Sequence, residues 1–208
     1  FRRVLFRSER GRLLTPRADL AISEFAVAVV CGSDAQIAEL DKTLATEPVD
    51  EDPVLVIGGG KVGRAVAIAL RARGLKVCLV EEDPSDRAGL EKLADRVVIG
   101  NASDRRVMEA AGIREAPSVV LTTNDDAVNV FLAVYCRKLN PELRIVSRIT
   151  HERNIEAVHR AGADFVLSYT ALGIKQMMAI VQGRELILLG EGVDLFVLDL
   201  PPLLEGLT

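Results

Sequence analysis

Residues 54–67 read VLVIGGGKVGRAVA, and few chain paths accommodate such a stretch. Four aliphatic residues run without polar alternation into Gly58-x-Gly60-x-x-Gly63. A short continuous apolar run is what a strand buried on both faces requires. Gly58 permits a tight turn, Gly60 lets another group approach the backbone, and Gly63 lets the following helix pack close against the strand. The helix N-terminus then offers unpaired N–H groups and a partial positive charge, which together make a seat for phosphate.

From Val54 onward, strand and helix patterns alternate strictly. Val54–Ile57 reads as strand, and 61–73 as a helix with basic residues in its last turn and Gly74 behind it. Residues 76–80 are a second strand, and Asp83-Pro84 is a cap with proline in the first helical turn. Arg96–Ile99 is the third strand, and Ser103 caps a helix ending at Gly112. Ser118–Leu121 is the fourth. Asn124 caps a longer helix with Val128, Phe131, Leu132, Tyr135 and Leu139 at helical spacing. Residues 144–147, a helix over 151–161, and 164–167 complete the series. Six strands and five helices in alternation predict an α/β fold, a Rossmann-like doubly wound parallel sheet spanning 54–168.

The flanks differ. Residues 24–31 (EFAVAVVC) read as strand, and Ser33 caps a short helix with Ile37, Leu40 and Leu44 on one face. Residues 45–53 hold two prolines and four acids and read as linker, with the boundary drawn at 47–53. Residues 1–8 (FRRVLFRS) match no pattern behind them; they resemble a translated adapter scar and are set outside the fold. In 169–182, Ile174, Met177, Met178 and Val181 form one apolar stripe while Leu172, Ala179 and Ile180 lie off it. Such a helix must bury more than one face, within its own domain or against a second subunit. From Glu185 the period returns to strand (ELILLG, VDLFVLDL) until Pro201-Pro202. The 185–208 piece begins another small domain, and the chain reads as a fragment of a longer one.

Composition narrows the function. Net charge is −4 and the pI is near 5.4, with both signs interspersed, so the chain is not built for nucleic acid. Cys31, Cys78 and Cys136 lie in apolar segments with no CxxC spacing and read as buried hydrophobes in a reducing compartment. Two histidines do not suggest a zinc site, and no metal ligands are assigned. No apolar run reaches the ~18–20 residues of a membrane span, and no signal peptide is visible, so the chain reads as soluble.

Glu81 closes the second strand about 20 residues after the glycines, where a carboxylate accepts both ribose hydroxyls and repels a 2′-phosphate. NAD(H), ATP, ADP or AMP fit that pattern and NADP(H) does not; Glu82 and Asp83 are neighbouring candidates. Gly58, Gly59, Gly60, Lys61, Val62 and Gly63 form the phosphate turn. Asn101 and Ala102 follow strand three and could line the adenine, and Thr122, Thr123, Asn124 and Asp125 follow strand four. Arg148 closes strand five and reads as a phosphate partner or as half of a surface ion pair. A dehydrogenase would need a substrate domain and a proton donor, and neither is identifiable. His151, the only histidine near the crevice, belongs more naturally to the first turn of its helix, so no catalytic residue is assigned.

VIGGGKVGRAVA, the acid at Glu81, VVIGNASD, VVLTTNDDAVN, VSRIT and RAGADFVLS, in this order, resemble the N-terminal lobe of the RCK domain, the regulator of potassium conductance, also called TrkA-N or KTN. Residues 25–44 resemble the end of a TrkA-C lobe and 185–208 the start of the next. The layout is similar to the second RCK domain of bacterial tandem-RCK potassium channels, with the soluble Trk regulatory subunit second. The resemblance implies a non-enzymatic domain on the cytoplasmic face of the bacterial inner membrane. It would gate a potassium channel pore upstream in the chain, or a separate transporter subunit, in response to NAD(H) or adenine nucleotide. It also implies dimers within a larger ring, paired through the helix holding Ile174, Met177, Met178 and Val181. The family's Gly-Asp-Ala after strand three is here Gly-Asn-Ala, so an acidic metal ligand at 101 is lost. The alternative class is an NAD-dependent oxidoreductase domain.

Overall fold

The apolar runs become the centre of a sheet. In the computed structural model of this chain, β1 (Val54–Ile57) is buried along its whole length. It lies between β2 (Val77–Glu81) and β4 (Ser118–Leu121). β3 (Arg96–Ile99) continues the sheet beyond β2, and β5 (Arg144–Ile149) and β6 (Phe165–Ser168) continue it beyond β4. All six strands are parallel, in the order β3-β2-β1-β4-β5-β6. The chain winds outward from β1 in one direction and then restarts on its other side. That reversal leaves a crevice at the carboxyl ends of β1 and β4. The structure describes residues 52–182 continuously, together with Glu39 and the backbone of five flanking strands.

Side chains alternate across the sheet and feed two cores. Leu55 and Ile57 join Met108, Ile113, Leu121, Leu132 and Ile145 on one face. Val56 joins Ala67, Val77, Leu79 and Leu90 on the other. Cys78 and Cys136 are fully buried, and burial raises both thiols, Cys136 to about 12. They behave as hydrophobes, as expected.

The helices are α1 (Lys61–Ala72), α2 (Arg87–Glu91), α3 (Arg105–Ala111), α4 (Asp126–Leu139), α5 (Ile155–Arg160) and α6 (Tyr169–Val181). Two expected caps move by one residue. Asp104, not Ser103, caps α3 by accepting the Arg106 N–H at 2.8 Å. Asp125, not Asn124, caps α4 by accepting the Ala127 N–H at 2.8 Å. A cap must sit immediately before the first helical residue for its oxygen to reach the second or third N–H; Ser103 and Asn124 lie one position too early. The helix expected over 151–161 is a 3-10 turn, Glu152–Asn154, running into α5.

Outside the sheet, Arg3–Glu9 pairs antiparallel with Ala26–Cys31 and with Arg12–Leu14. The segment expected to stand outside the fold is therefore strand over most of its length, since ladder pairing uses backbone groups that any extended chain carries. Leu186–Leu188 pairs antiparallel with Asp194–Phe196, in keeping with the β-rich reading after Glu185. The helix read after Ser33, apart from the helical Glu39, and most of the linker lie outside the described residues. Among the described residues no helix is long and apolar enough to cross a membrane.

Candidate nucleotide site

The turn between β1 and α1 is shaped by its glycines, each under a different constraint. Gly58 has φ +104°, a conformation that L side chains rarely adopt. A Cβ on Gly63 would stand 1.8 Å from the Gly58 carbonyl oxygen, so only glycine lets α1 start this close to β1. Around Gly60 there is nothing within 4 Å of an added Cβ; its backbone faces open space. Gly60 is also the N-cap of α1 and supplies no side-chain oxygen. The first N–H groups of α1 are left without the cap that Asp104, Asp125 and Ser168 provide to α3, α4 and α6.

These groups border a cleft of about 1070 Å³ at the carboxyl ends of the strands. Of the residues expected from sequence, Gly58, Gly60, Lys61, Val62, Glu81, Glu82, Asn101, Ala102, Thr122, Thr123, Asn124, Asp125 and Arg148 line it. Gly59 and Gly63 do not; they support it from beneath. Val128 and Phe131 of α4 add an apolar wall that sequence reasoning misses. Both are about half exposed, and Phe131 stacks on Tyr135 with ring centroids 5.7 Å apart. Their helical spacing suggests core, and no sequence signal separates a helix's core face from its cleft face.

Glu81 is held beneath the turn. Its carboxylate accepts the N–H groups of Gly59, Glu82 and Asp83, the last two at 2.8 and 3.0 Å. Arg64 reinforces the same corner, donating to the Gly59 carbonyl at 2.8 Å and pairing with Asp86 at 2.6 Å. Beside it, Asn101 donates to Glu82 at 2.9 Å and accepts the Ser103 N–H at 2.8 Å. The Thr122 hydroxyl donates back to the carbonyls of Ile57 and Gly58 at 2.8 and 3.0 Å, so it fastens β4 to the glycine turn.

On the far wall Arg148 carries a buried Nε with no hydrogen-bond partner. Its guanidinium lies 6.0 Å from the centre of the Tyr169 ring, at the start of α6, a cation–π distance. His151 does not line the cleft. Its N–H and Nδ1 meet Asp126 at 3.0 and 3.2 Å, which anchors the β5–α5 loop. Asp126 also accepts from Thr150 N–H and Asn154 Nδ2, both at 2.7 Å. Burial by itself raises the Asp126 carboxyl, but these hydrogen bonds outweigh it and lower the pKa from 3.8 to about 2. Among the described residues no group of His, Cys, Asp and Glu is arranged to hold a metal ion.

The architecture has known counterparts. A Trk system potassium uptake protein TrkA homolog from Methanothermobacter thermautotrophicus is 31% identical over 151 residues, 71% of this chain and 69% of that protein. The RCK domain of the GsuK channel superposes with a TM-score of 0.68 at 31% identity, covering 87% of this chain and 39% of that one. The GsuK channel bound to NAD matches with a TM-score of 0.68 at 29% identity, covering 89% of this chain and 35% of that one. GsuK bound to ADP matches with a TM-score of 0.57 at 32% identity, covering 64% and 35%. The chain spans only 18% of a Methanothermus fervidus relative and 43% of the TrkA homolog of Pyrococcus abyssi. The TrkA-N domain model matches residues 54–169, the stretch that holds the six parallel strands and every residue of the cleft, and the chain accordingly belongs to the TrkA-N family.

Proposed function

We propose that this domain binds an adenine nucleotide in the cleft and uses its occupancy to regulate potassium transport. The observation that carries this reading is the meeting of two anion-seeking groups on one cavity. On one side stands the α1 N-terminus, which has no side-chain cap; on the other stands Arg148, whose Nε has no partner. Backbone N–H groups at a helix start and an arginine across a cleft fit a chain of phosphates running from one to the other. The relatives' names support the rest: TrkA homologues of a potassium uptake system, and a channel solved with NAD and with ADP.

Glu81 selects the sugar. A ribose with free hydroxyls donates to its carboxylate, whereas a 2′-phosphate brings negative charge against it and against Glu82 alongside. NAD(H), ADP and ATP are therefore the ligands, and NADP(H) is rejected. The role is regulatory rather than catalytic. Occupancy shifts the population of two assembly states, which requires that the ligand favour one of them. The transmitting assembly is a dimer within a larger ring, paired through α6, where Ile174, Met177, Met178 and Val181 stand 53 to 87% exposed. Its partner is a potassium channel pore in a longer chain or a separate transporter subunit at the cytoplasmic side of the membrane.

The test is thermal unfolding with NADH, ADP, ATP and NADPH. At a ligand concentration of about 100 times Kd, stabilisation is about 2.7 kcal/mol, which raises Tm by about 5–10 °C for a domain of this size. The first three nucleotides are expected to give that shift and NADPH none. No shift with any nucleotide refutes the reading; equal shifts with NADH and NADPH refute the role given to Glu81.

A further inference from the structure

Asn129, on α4, is polar yet fully buried, and its amide ties together the two loops of the far cleft wall. Its Nδ2 donates to the Thr123 carbonyl and to the Arg148 carbonyl, each at 3.0 Å. Its Oδ1 accepts the Thr123 hydroxyl at 2.7 Å. A carboxamide supplies two donors and an acceptor in one plane. Aspartate would lack the donors, and leucine would remove all three contacts at once. The amide therefore fixes the end of β4 against the end of β5, and with it the backbone that carries Arg148.

The Arg148 guanidinium itself is lightly held. Nη1 lies 3.5 Å from the Thr122 carbonyl, the outer limit of a hydrogen bond. Nε has no partner, and among the described residues no carboxylate pairs with it. Strand order places it relative to a ligand. Glu81 ends β2 and Asn101 follows β3 on one side of the glycine turn, and Arg148 lies near the end of β5 on the other. A nucleotide with its sugar at Glu81 and its first phosphate on the α1 N-terminus directs any further phosphate toward β4 and β5.

Resting on the nucleotide reading above, we propose that Arg148 receives the second phosphate of a nucleoside diphosphate, free or esterified within a dinucleotide, and that Asn129 is the positioning residue that sets it there. The cleft then prefers ADP and NADH over AMP because only they reach this wall. The experiment titrates the chain with AMP, ADP and NADH by calorimetry. It compares wild type, Arg148→Gln, Asn129→Ala, Asn129→Ser and the double variant Arg148→Gln with Asn129→Ala, with folding monitored by circular dichroism. Wild type is expected to favour ADP over AMP by about tenfold to a hundredfold, the range for a hydrogen bond to a charged group. Arg148→Gln and both Asn129 variants lose that preference while AMP affinity stays within about twofold, and the double variant is no worse than either single one. An unchanged ADP-to-AMP ratio in Arg148→Gln overturns the proposal. So do equal losses for AMP and ADP in the Asn129 variants, or multiplying losses in the double variant. Asn129 variants that do not fold overturn the positioning role, leaving Arg148→Gln to decide the phosphate. If wild type binds none of the three nucleotides, the nucleotide reading fails; if it binds them without preference, only the present proposal does.

Discussion

Gly60→Ala separates binding from folding more cleanly than any other change in the glycine turn. Gly60 has φ −70° and ψ −173°, extended backbone that alanine adopts freely, and an added Cβ meets nothing within 4 Å. Two opposing effects set the change in stability. Alanine is a poorer N-cap than glycine by about 1 kcal/mol. Against that, replacing glycine reduces the freedom of the unfolded chain and returns about 0.4–1 kcal/mol. The unliganded protein should therefore stay within about 1 kcal/mol of wild type, a Tm change of about 4 °C or less. In the liganded protein the methyl occupies the space where phosphate would approach the backbone. The nucleotide-induced rise in Tm should fall to a small fraction of its wild-type value. Gly63→Ala provides the contrast: its Cβ would overlap the Gly58 carbonyl at 1.8 Å, and that contact is with rigid backbone. It should cost about 3 kcal/mol or more before any ligand is added. Differential scanning fluorimetry with and without excess ADP reads both quantities. A Gly60→Ala protein with the full ligand shift would refute the placement of phosphate on this turn.

Two further outcomes test the fold around the cleft. Asp126 has a carboxyl lowered from 3.8 to about 2, so its contribution is complete above about pH 4 and is lost as pH falls through about 2. The difference corresponds to about 2 kcal/mol. Urea unfolding from about pH 2 to pH 6 should show this slope in wild type and a smaller one in Asp126→Asn, which should also be less stable at neutral pH; identical slopes would refute the account. On α6, Met178→Glu places a charge in an apolar surface and should shift sedimentation from dimer toward monomer while the ADP response persists. A wild-type chain that sediments as a monomer at high micromolar concentration removes α6 as a pairing surface.

Much of the fold was legible because its signals are local and repeated. Val54–Ile57 is apolar at every position, as a strand covered on both faces requires, and the glycine turn behind it marks its end; the structure puts it at the sheet centre. The strict alternation of strand and helix patterns behind the glycine turn pointed to a parallel, doubly wound sheet, and the order of its strands came from the structure. Boundaries were less legible where two candidates for one role stand side by side. Ser103 and Asp104 are both capable caps, as are Asn124 and Asp125. Which one serves depends on where the helical dihedrals begin, and that is set by packing rather than by side-chain type. Arg3–Glu9 shows the limit from another side: its pairing with Ala26–Cys31 is a long-range backbone contact with no periodic signature in the segment itself.

Within the cleft, residue type told which side chains gather but not which of them are already committed. Thr122, Thr123 and Asp125 all follow strand four, and by type each could meet a ligand. In the fold the Thr122 hydroxyl is donated to Ile57 and Gly58, that of Thr123 to Asn129, and the Asp125 carboxylate caps α4. Those groups hold the walls together. Glu81 stands between the two classes, since its carboxylate fixes the turn through Gly59 and still faces the cleft. On the proposed reading a ribose hydroxyl would share that carboxylate with the turn, which would link sugar recognition to the shape of the phosphate seat. Arg148 is of the other kind, its Nε buried and unmatched. Leaving a buried donor unpaired costs about 1–3 kcal/mol, and on the proposed reading an anion in the cleft would meet this guanidinium. The same contact would compete with the Tyr169 ring for the guanidinium. Tyr169 begins α6, so the arginine proposed to meet the ligand also touches the helix with the exposed apolar face.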